Sequence, residues 1–227
     1  MVTPHSMLAT RMEDEYHILS NKWCLWAHLP HDTDWGINSY KNIYTLNSVE
    51  ETIAVIETLP DILVKNCMIF LMREGIKPTW EDPQNRNGGC FSYKVSNKHV
   101  YNVWKELSYV LVGGSLSINE SFVANVTGIT ISPKKNFCII KIWMSSCEYQ
   151  NPKIISTEIV NLSSHGSLFK KHVPEYFTSR LTTTKRKTKR NTRKKQEKYL
   201  PYLVNLRYFT PNPFSENEKW TFINVHF

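Results

Sequence analysis

The sequence predicts an α+β fold, a curved antiparallel sheet with helices on one face, and three observations carry that expectation. Short runs with apolar alternation or continuous apolar character recur along the chain. Two stretches of helical spacing stand between them, and a strand–turn–strand pattern follows. The order is strand–strand–helix–strand–strand–helix–hairpin. With 227 residues, 41% of them hydrophobic, one domain with a real core is expected.

Taken in order, residues 1–16 read as a flexible arm, and a single domain is expected over 17–227. Lys22–His28 alternates, with Trp23, Leu25 and Ala27 on one face. Leu29–Lys41 is polar, carries Trp35 and reads as a loop; Asn42–Leu46 is a second short strand. Ser48 with Glu51 three residues on is a capping box that opens a helix to about Leu59, where Pro60 helps to end it. Cys67–Arg73 is a buried strand. Glu74–Gly89 is rich in Gly, Pro and Asn, reads as a loop and holds Trp80, Glu81 and Asp82. A strand over Phe91–Val95 precedes a helix from Asn97 to about Val112, stopped by Gly113 and Gly114. Residues 128–132 and 137–143 flank Pro133-Lys-Lys-Asn136 as a hairpin with a basic tip. Beyond Ser146 the pattern weakens; a helix within 152–162 and a return of the aromatic end (199–227) to the sheet are the expectations there.

Charge is concentrated. Residues 185–198 hold nine Lys or Arg and one Glu, and nine minus one equals the whole chain's net +8. This block lies in an insertion expected to be flexible over about 182–198. It suits RNA phosphates, a nuclear-import signal or plain solvation. The N-terminal stretch shows no signal-peptide core and no apolar run is long enough for a membrane, so a cytoplasmic monomer is expected, with a nuclear fraction through the block. The five cysteines are scattered, never in a C-x-x-C pair, and are expected to be reduced thiols.

Nothing in the residues asks for catalysis. There is no Gly-rich phosphate loop, no H-E-x-x-H and no G-x-S-x-G, and none of the eight His lies in a metal-ligand motif. A non-enzyme without metal or cofactor is expected. The tryptophans carry more. Trp23, Trp26 and Trp104 sit on patterned elements and read as core, whereas Trp35 and Trp80 lie in polar loops, where a large aromatic is more often a contact residue. Glu81 beside Trp80 supplies a carboxylate able to accept two N–H bonds from the Watson–Crick edge of guanine. Stacking on an aromatic face is worth about 1–3 kcal/mol per base. Methylation at N7 makes guanine cationic and adds roughly 0.5–2 kcal/mol per face. Two tryptophans and one carboxylate therefore suit a methylated guanine, with Lys134 and Lys135 available for phosphates.

At these residues the chain resembles eukaryotic translation initiation factor 4E, the messenger-RNA cap-binding family. The run from His17 to Trp26 (HILSNKWCLW) is similar to the family's H-P-L-x-x-x-W-x-L-W opening. Trp35, Ser48-Val-Glu-Glu51, the run from Gly75 to Asp82 (GIKPTWED), Asn87-Gly-Gly89, Trp104 and Ile142-Trp143 carry the rest, over about residues 17–150. The resemblance implies helices on the convex face and a pocket for the 7-methylguanosine triphosphate cap on the concave face. It implies Trp35 and Trp80 as stacking planes, Glu81 on the guanine edge and Trp143 against the methyl group. Lys134 falls where the family has an Arg for phosphate, Ile139 replaces a Lys, and Lys141 is the substitute by strand alternation. For partners it implies capped mRNA and a scaffold factor 4G-like protein or repressor peptide, docking by a Tyr-x-x-x-x-Leu-hydrophobic helix at His17, Val49, Ile53 and Glu106. Ile53 stands where the family has Trp, and Lys105 where it has Leu. These departures suggest a divergent member whose partner has a modified motif, or a cap-binding repressor that does not recruit 4G.

Overall fold

The computed structural model describes residues 16–172, 199, 200, 202 and 203, so the expected N-terminal arm, the basic insertion and most of the aromatic end lie outside the described residues. Seven strands form one curved sheet in the order β2-β1-β3-β5-β6-β4-β7. They are β1 (Ile18–His28), β2 (Tyr40–Ser48), β3 (Met68–Arg73), β4 (Gly89–Ser96), β5 (Val126–Pro133), β6 (Phe137–Met144) and β7 (Leu168–Lys171). Every pairing is antiparallel. The helices are α1 (Val49–Thr58), α2 (Asp61–Asn66), α3 (Val100–Val112) and α4 (Glu120–Asn125). The α+β expectation holds.

Alternation gives the sheet two unlike faces, because residues paired across neighbouring strands share a side. One row runs Leu25–Leu71–Ile129–Ile142–Phe91–Phe169, and its first five members are fully buried. This face packs on α1, α2 and α3, with Trp23 and Trp104 among the fully buried side chains. At about 1.5–3 kcal/mol per fully buried large apolar side chain, this face is the main source of stability. The opposite face is mixed: Trp26, Phe70, Thr130, Lys141 and Ser92 share it with Met72, Gly128, Trp143 and Cys90. That face carries the loops with Trp35 and Trp80.

The helix ends follow from their residues. Ser48 Oγ accepts from the Glu51 N–H, as a capping box requires, but Glu51 reaches back to the N–H of Asn47, one residue earlier than the usual reciprocal bond. In α3, Val100, Val103, Trp104, Leu107 and Leu111 form the buried stripe. It begins at Val100 and not at Asn97, because residues 97–99 form a turn. Gly114, with φ of 66°, supplies the left-handed residue that ends it.

Three elements were not anticipated and one local expectation is corrected. α2 and α4 are six residues each, too short to display a period, and β7 is a four-residue edge strand. The helix expected within 152–162 is reduced to a single 3-10 turn at Pro152–Ile154. Its surroundings are tied down instead by tertiary bonds: Ser117 Oγ donates to the Ile154 carbonyl and Ser156 Oγ accepts from the Ile118 N–H. Among the described residues no helix is long and apolar enough to cross a membrane, and no cluster of three or more metal-binding side chains exists. All five cysteines are free.

Candidate functional site

Trp35 leaves the sheet just after β1, on a loop shaped by its own acids. Asp32 accepts from the Asp34 N–H, and Asp34 Oδ1 accepts from the Gly36 N–H at 2.8 Å. His28, the last residue of β1, is buried and its Nε2 lies 2.8 Å from the Asp34 carbonyl. A carbonyl only accepts, so Nε2 carries the proton. The Trp35 indole lies flat on this imidazole, centroids 4.4 Å apart and planes 3° from parallel. One face of Trp35 is thus supported from below while the residue remains 58% exposed. A fixed plate with a free face is suited to stacking.

The second loop is built by two buried polar residues. The Asp82 carboxylate accepts from the N–H groups of Lys77 and Gln84. Asn85, fully buried, donates from Nδ2 to the carbonyls of Lys77 and Thr79, and its Oδ1 accepts from the Thr127 hydroxyl. Thr127 is free to reach over because β5 is irregular there: Val126 pairs with Met144 and Gly128 with Trp143, leaving Thr127 out of register. Gly88 closes the loop against β6 so tightly that a Cβ there would lie 1.7 Å from the Met144 carbonyl oxygen. Between these anchors Trp80 is 40% exposed and Glu81 is exposed.

Both loops are tied to the sheet face opposite the helices, the first through His28 and the second through Asn85 and His172, which meets Trp143. Tyr40 touches His28 at 5.0 Å between centroids and Phe70 at 5.5 Å. Burial, and then the nearby Glu81 carboxylate, push the Tyr40 phenol up to about 12. Glu81 is therefore within electrostatic reach of the aromatic group that leads to Trp35. Phe70, Met72 and Trp143 form a small second cluster there, with Trp26, Tyr40, Met68 and Ile76 against it. Trp143 is mostly buried in it. Trp35, through His28, Tyr40 and Phe70, is thus linked to Trp143 on one side of the sheet, and Glu81 acts electrostatically on Tyr40 in that chain.

The three lysines separate. Lys141 pairs with Thr130 and Ser92, two residues along the same face from Trp143. Lys134 and Lys135 sit on the exposed hairpin tip. The Trp143 and Cys138 positions are five residues apart, so the tip is roughly 16 Å or more away along the strand. The sequence reading missed Lys170. Its register partner Cys90 also pairs with Trp143, and both Lys141 and Lys170 act electrostatically on the Cys90 thiol, which burial nevertheless pushes up. No pattern in a four-residue edge strand announces that placement.

His17, Val49, Ile53 and Glu106 lie away from this site, at α1 and α3. His17 Nδ1 pairs with Glu50 at 2.7 Å, and Val49 and Ile53 are exposed. Lys105 is not free: it pairs with Glu57 at 2.6 Å, and Tyr109 donates to the same carboxylate. These two bonds hold the Glu57 carboxyl below its usual range. Glu106 accepts from the Val160 N–H.

A family model for eukaryotic initiation factor 4E matches residues 18–196. The chain is similar to the Capsicum annuum translation initiation factor isoform 4E, 27% identical over 66% of this chain and 79% of that one. It is also 27% identical to a factor 4E homolog of Acanthamoeba polyphaga mimivirus and 28% identical to factor 4E-2 of Schizosaccharomyces pombe. These matches cover 50% and 58% of this chain, and it spans only 50% and 55% of the length of those two relatives. Among solved structures, the fold is shared with Ascaris suum eIF4E-3 bound to an m7G cap, at TM-score 0.57, 18% identity and 76% and 100% of the two chains. It is shared too with C. elegans eIF4E-3 in complex with the 4E-binding protein Mextli, at TM-score 0.52, 23% identity and 59% and 78% coverage.

Proposed function

The chain belongs to the eukaryotic initiation factor 4E family, and from that membership we propose that it binds the 7-methylguanosine 5′ cap of mRNA and acts in translation initiation. One observation supports this most: Trp35 lies parallel on His28 while 58% exposed, on the side of the sheet that carries Trp143. The cationic base stacks between Trp35 and Trp80, gaining dispersion and cation–π attraction on both faces. Glu81 accepts the N1 and exocyclic N–H bonds of guanine, and Trp143 packs on the methyl group. Lys141 and Lys170 receive the first phosphates, with Lys134 and Lys135 further along for the rest. The proposed task is recognition without chemistry, so no metal or cofactor is needed. The place of action is the cytoplasm, with a nuclear fraction through residues 185–198.

The test is a fluorescence titration with 7-methylguanosine triphosphate and with GTP. Tryptophan quenching at much lower concentration of the methylated nucleotide is expected. Equal affinity for the two would overturn the reading.

A second reading has its own support. Ile53 offers less apolar area than Trp, and Lys105 is committed to Glu57 where an apolar contact would be needed. A protein that occupies caps without recruiting scaffold factor 4G fits that surface. The decisive measurement is whether cap-resin complexes from cell extract contain a scaffold factor.

A further inference from the structure

His172 follows β7 and was not singled out by the sequence. Its backbone N–H donates to the Gly88 carbonyl, and its Nδ1 lies 2.9 Å from the carbonyl oxygen of Asn85. Both partners belong to the loop that carries Trp80 and Glu81. On its other side the imidazole meets the Trp143 ring at 4.7 Å between centroids, tilted by 52°. One side chain therefore spans the two halves of the site, the loop and the strand.

The hydrogen bond fixes the tautomer. The Asn85 carbonyl only accepts, so Nδ1 carries the proton and Nε2 of the neutral ring is left with a lone pair. Nε2 is buried and, among the described residues, has no hydrogen-bond partner. A proton there would create a charge in a desolvated position. Burial holds the imidazole pKa below 6.5, the Asn85 carbonyl opposes that, and the Lys141 ammonium reinforces it. Lys141 of β6 is the charged group acting across the site; Lys170 and Lys171, at the end of β7, precede the ring in the chain. On the loop side Asp82 and Arg86 flank Asn85, and both are engaged with loop backbone.

We infer that His172 is a positioning and selectivity residue of the methylated-base site, joining the Trp80 loop to Trp143 and favouring a cationic base only while it is neutral. The inference rests on the cap-binding reading above. A neutral imidazole keeps the negative end of its dipole at Nε2, on the ring that meets Trp143, against which the methyl group of a cationic base would pack. The protonated ring places a like charge there instead. Across roughly 8 Å at intermediate dielectric, that repulsion corresponds to about a fivefold loss of affinity. A neutral guanine feels much less of it, so the preference for the methylated base falls with pH.

The experiment titrates the full chain with 7-methylguanosine triphosphate and with GTP between pH 7.5 and 5. It is repeated for His172→Gln, whose amide can still donate to Asn85 but does not titrate there, and for His172→Phe. The wild type should lose about fivefold of its methyl preference as pH falls below 6.5. His172→Gln should keep a flatter preference, and His172→Phe should bind both nucleotides more weakly at every pH. A wild type and His172→Gln with the same pH profile, or His172→Phe with undiminished affinity, would overturn the inference while leaving cap binding intact. Absence of any methyl preference in the wild type at pH 7.5 would overturn both.

Discussion

Replacing Asn85 by Ala tests whether the stacking loop is held in place before any ligand arrives. The side chain is fully buried and makes three hydrogen bonds, two to the carbonyls of Lys77 and Thr79 and one from Thr127. At roughly 1 kcal/mol per bond the loss is about 3 kcal/mol, and more where the abandoned partners stay buried. For a domain of this size that is a fall of about 6–12 °C in Tm. The same cost should appear in binding, because the competent loop is then only a fraction of the population; a tenfold or greater loss of affinity for 7-methylguanosine triphosphate is expected. Thr127→Val removes one of the three bonds while conserving shape, so about a third of the stability loss is expected from it. Calorimetry and fluorescence titration on the same samples give both quantities. A lower Tm with unchanged nucleotide affinity would refute the reasoning, since the loop carrying Trp80 and Glu81 would then not belong to the binding site.

The other predictions are simpler. Trp35→Ala and Trp80→Ala should each cost about 1–3 kcal/mol of cap affinity in a titration, with little change in Tm, because both residues are exposed. Glu81→Gln should narrow the preference for methylguanosine over methyladenosine triphosphate, since the neutral amide makes a weaker acceptor for the two base N–H groups. Lys141→Ala with Lys170→Ala should weaken binding of the methylated mononucleotide more than Lys134→Ala with Lys135→Ala, with a loss that shrinks at high salt. A Tyr-x-x-x-x-Leu peptide should bind weakly by calorimetry and gain about tenfold on Ile53→Trp, from added apolar contact at about 25 cal/mol per Å2; tight binding by the unaltered protein would count against that.

The helix-bearing face was legible because it is repetitive. Trp23, Leu25 and Ala27 alternate and Val103, Trp104, Leu107 and Leu111 recur at helical spacing, and all of them are buried. Short elements were not legible. α2, α4 and β7 offer one turn or two of pattern, and residues 152–162 have apolar content that resembles a helix until the bonds from Ser117 and Ser156 hold the segment in another shape. The two stacking candidates were legible for the opposite reason: Trp35 and Trp80 are large aromatics in segments too polar to bury them.

What the sequence by itself determined is therefore the fold class and the family; it offered Trp35, Trp80 and Glu81 as candidates from their chemistry, and Trp143 only as the resemblance implies. Those rest on local chemistry, on the period of a strand, the spacing of a helix, or a carboxylate next to an indole. Only the tertiary structure decided which residues stand behind them. His28 supports Trp35, Asn85 receives Thr127 from the irregular stretch of β5, Lys170 arrives beside Cys90, and His172 bridges the loop to Trp143. His172 lies 87 residues from Asn85 along the chain. Such contacts follow from strand order and register, set by the sheet as a whole, and no single segment of the chain encodes them.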